Sequence, residues 1–205
     1  MAQVKKLDVR DAILDSAFNL FVAKGYTKST LSEISRQSSV TMSNIYNYFD
    51  SKLDILMAIY DPWFDAQLTQ LFKDVGSQKS PRAKFIKLFT GLLQVIPEKD
   101  GGFANLWLEA ISARRPDEPY SREMLFRLEE RVSNLILEIL PKGQGTQFTE
   151  QNLLSHLIFM AFDGFAINYH NAGSSKRAQA IAELLTDAIF SSEEIRRESS
   201  LADDR

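Results

Sequence analysis

The sequence contains no cysteine, which excludes a disulfide framework and thiolate metal sites and fits a reducing cytoplasm. No apolar run approaches the roughly 18 residues of a membrane span. The N-terminus, "MAQVKKLDVRDAIL", lacks the uninterrupted apolar segment of a secretory signal. We therefore expect a cytoplasmic protein with no membrane partner.

Histidine is scarce as well, with only two in the chain. His156 and His170 lie on one predicted helix, about 21 Å apart along its axis, so they cannot share a metal ion within one subunit. There is no Gly-x-Ser-x-Gly motif, and "GQGTQF" lacks both the Lys-Ser/Thr ending and the preceding strand of a phosphate loop. The sequence thus argues against an enzyme and predicts neither a metal nor a cofactor.

The composition that remains is that of a globular protein, with 205 residues, 44% hydrophobic and 25% charged. The charge is unevenly distributed along the chain. Residues 1–52 carry seven basic and five acidic side chains, a net charge of +2, and the remaining 17 basic and 22 acidic residues give −5. A mildly basic head on an acidic body indicates a polyanion partner, although ordinary scatter of charge would look the same.

Apolar residues recur at helical spacing along nearly the whole chain, and no strand alternation is visible. We therefore predict an all-α fold. The first predicted helix ends at Gly25. The later ones cover 31–38, 42–48, 52–72, 82–96, 103–114, 120–140, 149–170 and 175–190. The breaks between the later helices are "VGSQKSP", "PEKDGG", "RRPDEP" and "PKGQGTQ", and a polar tail covers 191–205.

Two of these helices are short and closely joined. "STLSEIS" begins the first with a capping box, in which Thr30 is the N-cap and Glu33 is the third helical residue. Thr41 is the N-cap candidate of the second. The link Ser39–Val40–Thr41 between them gives the layout of a helix-turn-helix, whose second helix lies in the DNA major groove.

The second short helix carries "MSNIYNY", and Ile45 is its predicted buried anchor. The residues around Ile45 are left facing outward: Met42, Ser43, Asn44, Tyr46 and Asn47. Asparagine can pair with adenine, methionine can touch a thymine methyl, and tyrosine and serine can reach phosphates. Free backbone N–H groups beside Thr41 suit a phosphate, and Lys28 and Lys52 flank the surface. An ordinary turn between core helices would explain Ile45 and Phe49, but not the two tyrosines beside two asparagines.

Residues 10–59, "RDAILDSAFNLFVAKGYTKSTLSEISRQSSVTMSNIYNYFDSKLDILMAI", resemble the N-terminal domain of the TetR (tetracycline-repressor) family of bacterial transcriptional regulators. The resemblance implies a three-helix DNA-binding head, residues 1–52, followed by a helical ligand-binding and dimerisation body, residues 53–190. It places DNA contacts on Thr30, Thr41, Ser43, Asn44, Tyr46, Asn47 and Lys52. Tyr48 and Phe49 match the family's aromatic pair, in which we assign Tyr48 to DNA binding and Phe49 to the structure. Two positions depart from the family: Ser39 stands where glycine is usual, and Met42 where lysine is common.

The segment 150–170 is apolar around most of its circumference, which predicts burial on two sides. One stripe at helical spacing comprises Leu153, Leu157, Met160, Gly164 and Ile167. The last helix adds a face of small and apolar residues. The two segments resemble the helices of the family's four-helix dimer interface, and we assign to the interface Leu157, Gly164, Ala178, Ile181 and Leu185. A monomer core is the alternative.

A ligand pocket needs a few polar groups converging among apolar walls. The candidates are rings and polar residues set within apolar segments: Trp107, Glu109, Phe126, His156, Phe159 and Asp163. Each could equally belong to the core or to the surface. If both carboxylates line one cavity, a cationic ligand fits; otherwise an uncharged aromatic or lipid-like compound fits as well.

These features together predict a ligand-responsive transcriptional regulator. It would repress by binding a palindromic double-stranded DNA operator as a homodimer, and an unidentified small-molecule effector would release it. The alternatives are a helical protein-interaction module without DNA binding and a small all-α enzyme.

Overall fold

The computed structural model describes residues 2–99, 101–114, 121–140, 150–173 and 176–203. Within these ranges every regular element is helical, which confirms the predicted all-α class. The α-helices are α1 Ala2–Lys24, α2 Leu31–Ser38, α3 Met42–Tyr46, α4 Lys52–Gly76, α5 Pro81–Thr90, α6 Ile96–Lys99, α7 Phe103–Ala113, α8 Glu123–Ile139, α9 Leu153–Ala172 and α10 Ala178–Asp203. None of the described helices is long and apolar enough to cross a membrane.

The observed helices differ from the predicted ones mainly at their ends. The helix α3 ends at Tyr46, two residues early, and Asn47 forms its C-cap. The helix α10 continues to Asp203, past the predicted end at residue 190. A π-helical turn, Gly91–Val95, separates α5 from α6. The predicted loop "PKGQGTQ" and most of "RRPDEP" lie outside the described residues.

The chain forms two compact units. Unit 1 comprises Met1–Ala66 and Gly102–Tyr120, and unit 2 comprises Gln67–Gly101 and Ser121–Arg205. Unit 1 therefore contains α1 to α3, the first part of α4, and α7. Helix α7, which we predicted in the body, is packed into the same unit as the helix-turn-helix.

One hydrophobic core explains why α7 belongs to unit 1. It joins residues of α1 to α4 with two residues of α7, and its buried members are Ile13, Ala17, Phe21, Tyr26, Ile34, Val40, Ile45, Phe49, Ile55, Leu56, Leu106 and Ala110. Ile45 is 1% exposed, which confirms it as the anchor of α3. Leu106 and Ala110 are four residues apart and so lie on one face of α7. That face is continuous with the core of the helix-turn-helix.

Unit 2 packs α5, the π-helical turn, α8, α9 and α10 around its own core. The buried face of α9 carries Ile158, Phe159, Phe162 and Ala166. At Gly91, where the π-helical turn begins, an added Cβ would overlap the side chain of Leu71. Only glycine permits this close approach without a shift of the leucine.

The link between α2 and α3 contains a strained residue. Ser39, the C-cap of α2, has φ +58° and ψ +25°, in the left-handed region that favours glycine. The Val40 amide donates to the Ser35 carbonyl at 3.2 Å, and the Ser35 hydroxyl donates to the Val40 carbonyl at 2.6 Å. The turn thus accepts a side chain at this position through these local hydrogen bonds.

Replacing Ser39 by glycine is expected to stabilise the protein by about 0.5–1 kcal/mol, because glycine removes the left-handed strain while adding some unfolded-state entropy. Urea unfolding at fixed protein concentration measures the change. The control is Ser32→Gly, at an exposed position inside α2, where glycine should destabilise by about 0.5–1 kcal/mol. A Ser39→Gly protein less stable than wild type would show that the serine side chain stabilises the turn.

Candidate DNA interface and ligand residues

Helix α3 presents a polar, uncharged surface on one side of its buried anchor. Thr41 caps the helix by accepting a hydrogen bond from the Asn44 amide at 3.3 Å. Ser43 and Asn47 are exposed, and Tyr46 is 52% exposed. These side chains offer both hydrogen-bond donors and acceptors, as base edges and phosphates require.

The two asparagines of α3 differ in burial. Asn44 is half-buried and Asn47 is exposed. The side-chain Nδ2 of Asn47 donates a weak hydrogen bond to Oδ1 of Asn44 at 3.4 Å. The two side-chain amides are therefore hydrogen-bonded to each other at the surface of the helix and do not act as two independent groups.

Met42, which we expected to face outward, and Tyr48, which we assigned to DNA binding, are both held against the core. Tyr48 and Met42 are half-buried and pack on the apolar cluster of unit 1. Tyr48 lies beyond the end of α3, because the helix stops at Tyr46. The exposed row of α3 is thus shorter than its sequence suggested.

Thr30 forms the predicted capping box at the start of α2. Its hydroxyl oxygen accepts a hydrogen bond from the Glu33 amide, and its O–H group and backbone amide both donate to the Glu33 carboxylate. Hydrogen bonds from Lys24, and then from Thr30, lower the pKa of Glu33 to about 2. The hydroxyl of Thr30, although exposed, is thus already engaged in ordering α2.

Lys52, which we expected at a phosphate, has a different set of partners in the structure. Its ammonium group donates to the carbonyls of Tyr26 and Ser29, both at 2.8 Å, and lies 4.1 Å from the centre of the Tyr26 ring. Burial is the main reason that the pKa of Lys52 is lowered, although the charge of Glu109 opposes the shift. The lysine therefore holds the turn between α1 and α2.

Glu109, one of the predicted ligand residues, binds the same turn from α7. Its carboxylate accepts hydrogen bonds from the amides of Tyr26, at 3.0 Å, and Thr27, at 2.7 Å. Burial raises the pKa of Glu109, but these hydrogen bonds and the nearby Lys52 together outweigh burial and hold the pKa below its ordinary value. Both oxygens of the carboxylate are thus engaged by the protein itself.

The neighbouring Trp107 packs among other rings of unit 1. Its ring stacks on Tyr60, with centroids 5.7 Å apart and planes inclined by 8°. Phe103, one turn earlier in α7, stacks on Trp63 and on Phe18 of α1. The predicted roles of Trp107 and Glu109 in a ligand pocket do not follow from these contacts.

The other four ligand candidates belong to unit 2 and are not equivalent. Phe126 is 55% exposed, whereas Phe159 is buried. His156 Nδ1 lies 2.7 Å from the carboxylate of the buried Glu129. Asp163 is half-buried within α9, where burial raises its pKa to about 6. We expected a cationic ligand only if the carboxylates of Glu109 and Asp163 lined one cavity. The Glu109 carboxylate instead binds backbone amides of its own unit, so that condition is not met.

An open groove of about 410 Å³ lies between the end of α9 and the start of α10. None of the six predicted ligand residues lines it. Its lining residues are Phe165, Asn168, Ala172, Gly173, Lys176, Arg177 and Ile181.

Asp163→Asn is expected to stabilise the protein at neutral pH. The folded pKa of Asp163, about 6, lies above the ordinary value of 3.8, so the folded state prefers the protonated acid. The stabilisation that the protonated Asp163 side chain gives the folded state is complete below about pH 4 and is lost as the pH rises through 6. At pH 7.5 asparagine should therefore be more stable by on the order of 2–3 kcal/mol, and near pH 4 the difference should vanish. Urea unfolding at both pH values, with the exposed Asp15→Asn as control, tests this; a difference independent of pH would contradict it.

The predicted dimer residues divide into three groups by exposure. Leu157 and Gly164 lie on an exposed face of α9, and nothing lies within 4 Å of a Cβ added at Gly164. Ile181 and Leu185 are half-buried. Ala178 is 0% exposed, which corrects its assignment, because a side chain fully buried within its own subunit cannot meet a partner.

Comparison with known proteins supports the helix-turn-helix. Residues 13–59 match the family model described as "Bacterial regulatory proteins, tetR family". The chain is 27% identical over 113 residues to an uncharacterised HTH-type transcriptional regulator, YuxN, of Bacillus subtilis, covering 55% of this chain and 36% of that protein. It is 25% identical over 132 residues to IcaR of Staphylococcus epidermidis, a negative transcriptional regulator of the biofilm operon icaADBC, covering 64% of this chain and 68% of that protein.

In the first curated relatives the matched part spans 24% to 39% of their own length. Among solved structures, FadR from Bacillus subtilis in complex with stearoyl-CoA is 16% identical, with a TM-score of 0.54. That match covers 87% of this chain and 96% of FadR. At this identity the likeness concerns the fold alone.

Proposed function

We propose that this chain, whose residues 13–59 match the model of the TetR family of bacterial regulatory proteins, is a transcriptional repressor that binds operator DNA as a homodimer and is released by a small molecule. Residues 1–52 carry DNA binding in this proposal, and residues 53–190 carry dimerisation and effector binding. A protein that binds chromosomal DNA acts in the bacterial cytoplasm.

The exposed row of α3 is the observation that carries the proposal. Thr41, Ser43, Tyr46 and Asn47 present hydroxyl and amide groups to solvent around the buried Ile45. No charged residue interrupts the stretch from Val40 to Phe49, so no carboxylate would repel phosphates there. A helix with these side chains can dock in a major groove and read base edges through the amides.

The exposed apolar face of α9 supports a homodimer. Leu153 and Leu157 are each 57% exposed, Met160 is 47% and Ile167 is 43%. They follow one another at helical spacing along about 21 Å of the helix, and Leu184 of α10 is 67% exposed. An apolar face of this length is unusual on a monomer. A second copy would cover it isologously, α9 against α9, and present two α3 helices to half-sites about 34–36 Å apart.

Repression and release by an effector are proposed from two similar proteins. The relative from Staphylococcus epidermidis is named as a negative regulator. The Bacillus subtilis protein of similar fold binds stearoyl-CoA. We propose that this chain likewise lowers transcription, and that unit 2 binds an effector of a class still to be identified.

In vitro selection of genomic DNA fragments on the purified full chain tests the DNA-binding function. We expect recovery of a roughly palindromic duplex, bound as a dimer and lost as salt rises. A thermal-shift panel that includes stearoyl-CoA, followed by titration against the selected duplex, then tests release. If no fragment is enriched over a shuffled duplex, the chain is not a sequence-specific regulator, and an interaction module becomes the better reading.

A further inference from the structure

The turn between α1 and α2 is held by side chains from two distant parts of unit 1. Glu109 on α7 accepts hydrogen bonds from two consecutive amides of the turn, those of Tyr26 and Thr27. Lys52, the first residue of α4, donates to the carbonyls of Tyr26 and Ser29. Successive N–H groups that converge on one carboxylate form an anion-binding nest. We refer to Glu109, Lys52 and the five-residue turn 25–29 as the latch.

The backbone of the turn is shaped to receive this carboxylate. Gly25 has φ +86°, a conformation that side-chain-bearing residues rarely adopt. A Cβ added there would lie 3.2 Å from Glu109 Oε2 and 3.5 Å from Oε1. Glycine therefore serves two purposes at this position: it ends α1, and it leaves space for the carboxylate of α7.

The position of Glu109 is fixed by the rest of α7. Leu106 and Ala110 are buried in the core of unit 1, and Glu109 lies three residues beyond Leu106, on the adjoining edge of the same face. The ring of Trp107 stacks on Tyr60 of α4. A carboxylate carried on so firmly packed a helix sets the position of the turn.

The 25–29 turn leads directly into the N-terminus of α2 and positions it. Ser29 precedes the N-cap Thr30, whose capping box with Glu33 orders the first turn of the helix. Lys24, at the end of α1, forms an ion pair with Glu33 at 2.5 Å. Both ends of the 25–29 turn are therefore tied to α2, the helix that joins α3 in the helix-turn-helix.

We propose that Glu109 and Lys52 are positioning residues for DNA recognition, which hold the helix-turn-helix in its binding geometry by fixing the α1–α2 turn to α7 and α4. This inference rests on the proposed DNA-binding function. It also assigns to Lys52 a role other than phosphate contact, and to Glu109 a role other than ligand contact.

Glu109→Gln is the main test, because an amide has the same shape but offers only one good acceptor and places an NH₂ group against a backbone N–H. The control is Glu138→Gln, which makes the same chemical change at an exposed position of α8. Two quantities are measured on the full chain: amide hydrogen exchange at Tyr26 and Thr27, and affinity for two duplexes. One duplex is that selected by the wild-type protein, and the other is a shuffled sequence of equal composition.

For Glu109→Gln we expect exchange at the two amides to accelerate about 10-fold or more, and affinity for the selected duplex to fall about 10-fold, as loss of a charge-assisted hydrogen bond implies. Affinity for the shuffled duplex should change less than about 2-fold, because no phosphate contact is removed. The control should alter neither. Unchanged affinity for the selected duplex, or an equal loss on both duplexes, would overturn the proposal.

Two further variants keep the test decisive. If Glu109→Gln does not fold, Glu109→Asp retains the charge but withdraws the oxygens by one methylene; wild-type affinity in that protein would also overturn the proposal. Lys52→Met distinguishes positioning from phosphate contact. Positioning leaves the salt dependence of binding unchanged, whereas loss of a phosphate contact lowers its slope by about one unit. If the wild-type chain selects no duplex, the proposed function fails, and the exchange measurement still decides whether Glu109 holds the turn.

Discussion

Leu157→Glu is expected to convert the protein from dimer to monomer and to lower its affinity for the selected duplex by at least about 100-fold. Leu157 is 57% exposed in the single subunit, so a glutamate there stays in water and the subunit should fold. Between two copies of α9 the same carboxylate would be desolvated without a partner, which costs several kcal/mol. A monomer carries one DNA-binding domain and cannot hold two half-sites at once. It therefore loses the gain in affinity that linkage of two such domains provides, about 10²- to 10⁴-fold.

Sedimentation velocity and binding to the selected duplex measure the two effects in one preparation. Leu137→Glu is the matched control, because Leu137 is 40% exposed on α8 and lies outside the α9 face. Gly164→Glu should behave like Leu157→Glu, since the space around its Cβ is open. Ala178→Glu is unsuitable, because it would bury a charge within unit 2. A Leu157→Glu protein that remains dimeric would place the interface on another surface.

Features determined by neighbouring residues could be predicted from the sequence. The capping box of Thr30 and Glu33, the end of α1 before Gly25 and the burial of Ile45 are all present in the structure. Each depends on residues only a few positions apart, so periodicity and capping rules suffice. The strain at Ser39 was also foreseeable, because that position of the turn favours glycine.

The roles of Glu109 and Lys52 depend on contacts that no local pattern records. Glu109 lies 83 residues from Tyr26 and 82 from Thr27. A carboxylate within an apolar helix needs a partner, but the sequence does not show whether that partner is a ligand or a backbone amide. Lysine at the start of α4 likewise looks like a phosphate contact until its two carbonyl acceptors are known.

The proposed dimer face of α9 shows a similar division between local and tertiary information. Helical periodicity correctly grouped Leu153, Leu157, Met160 and Ile167 on one stripe of α9. It could not reveal that Ala178 of α10 is buried within its own subunit. Small residues suit close packing of any two helices, and only the tertiary structure identifies which helix is packed against them.

Asn44→Ala is expected to reduce affinity for the selected duplex by about 5- to 150-fold, equivalent to 1–3 kcal/mol for loss of a base contact. Asn44 is half-buried and accepts a weak hydrogen bond from Asn47, so its loss also frees the second amide. Affinity for the shuffled duplex should stay within about 2-fold, because phosphate contacts and net charge are unchanged. Fluorescence anisotropy at two salt concentrations gives both affinities and the salt slope.

Gln37→Ala, which removes an exposed amide from α2, is the control and should bind both duplexes as the wild type does. An equal loss on both duplexes for Asn44→Ala would mean that α3 contributes through its backbone position or through phosphates, and base reading would then have to come from other residues of its exposed row.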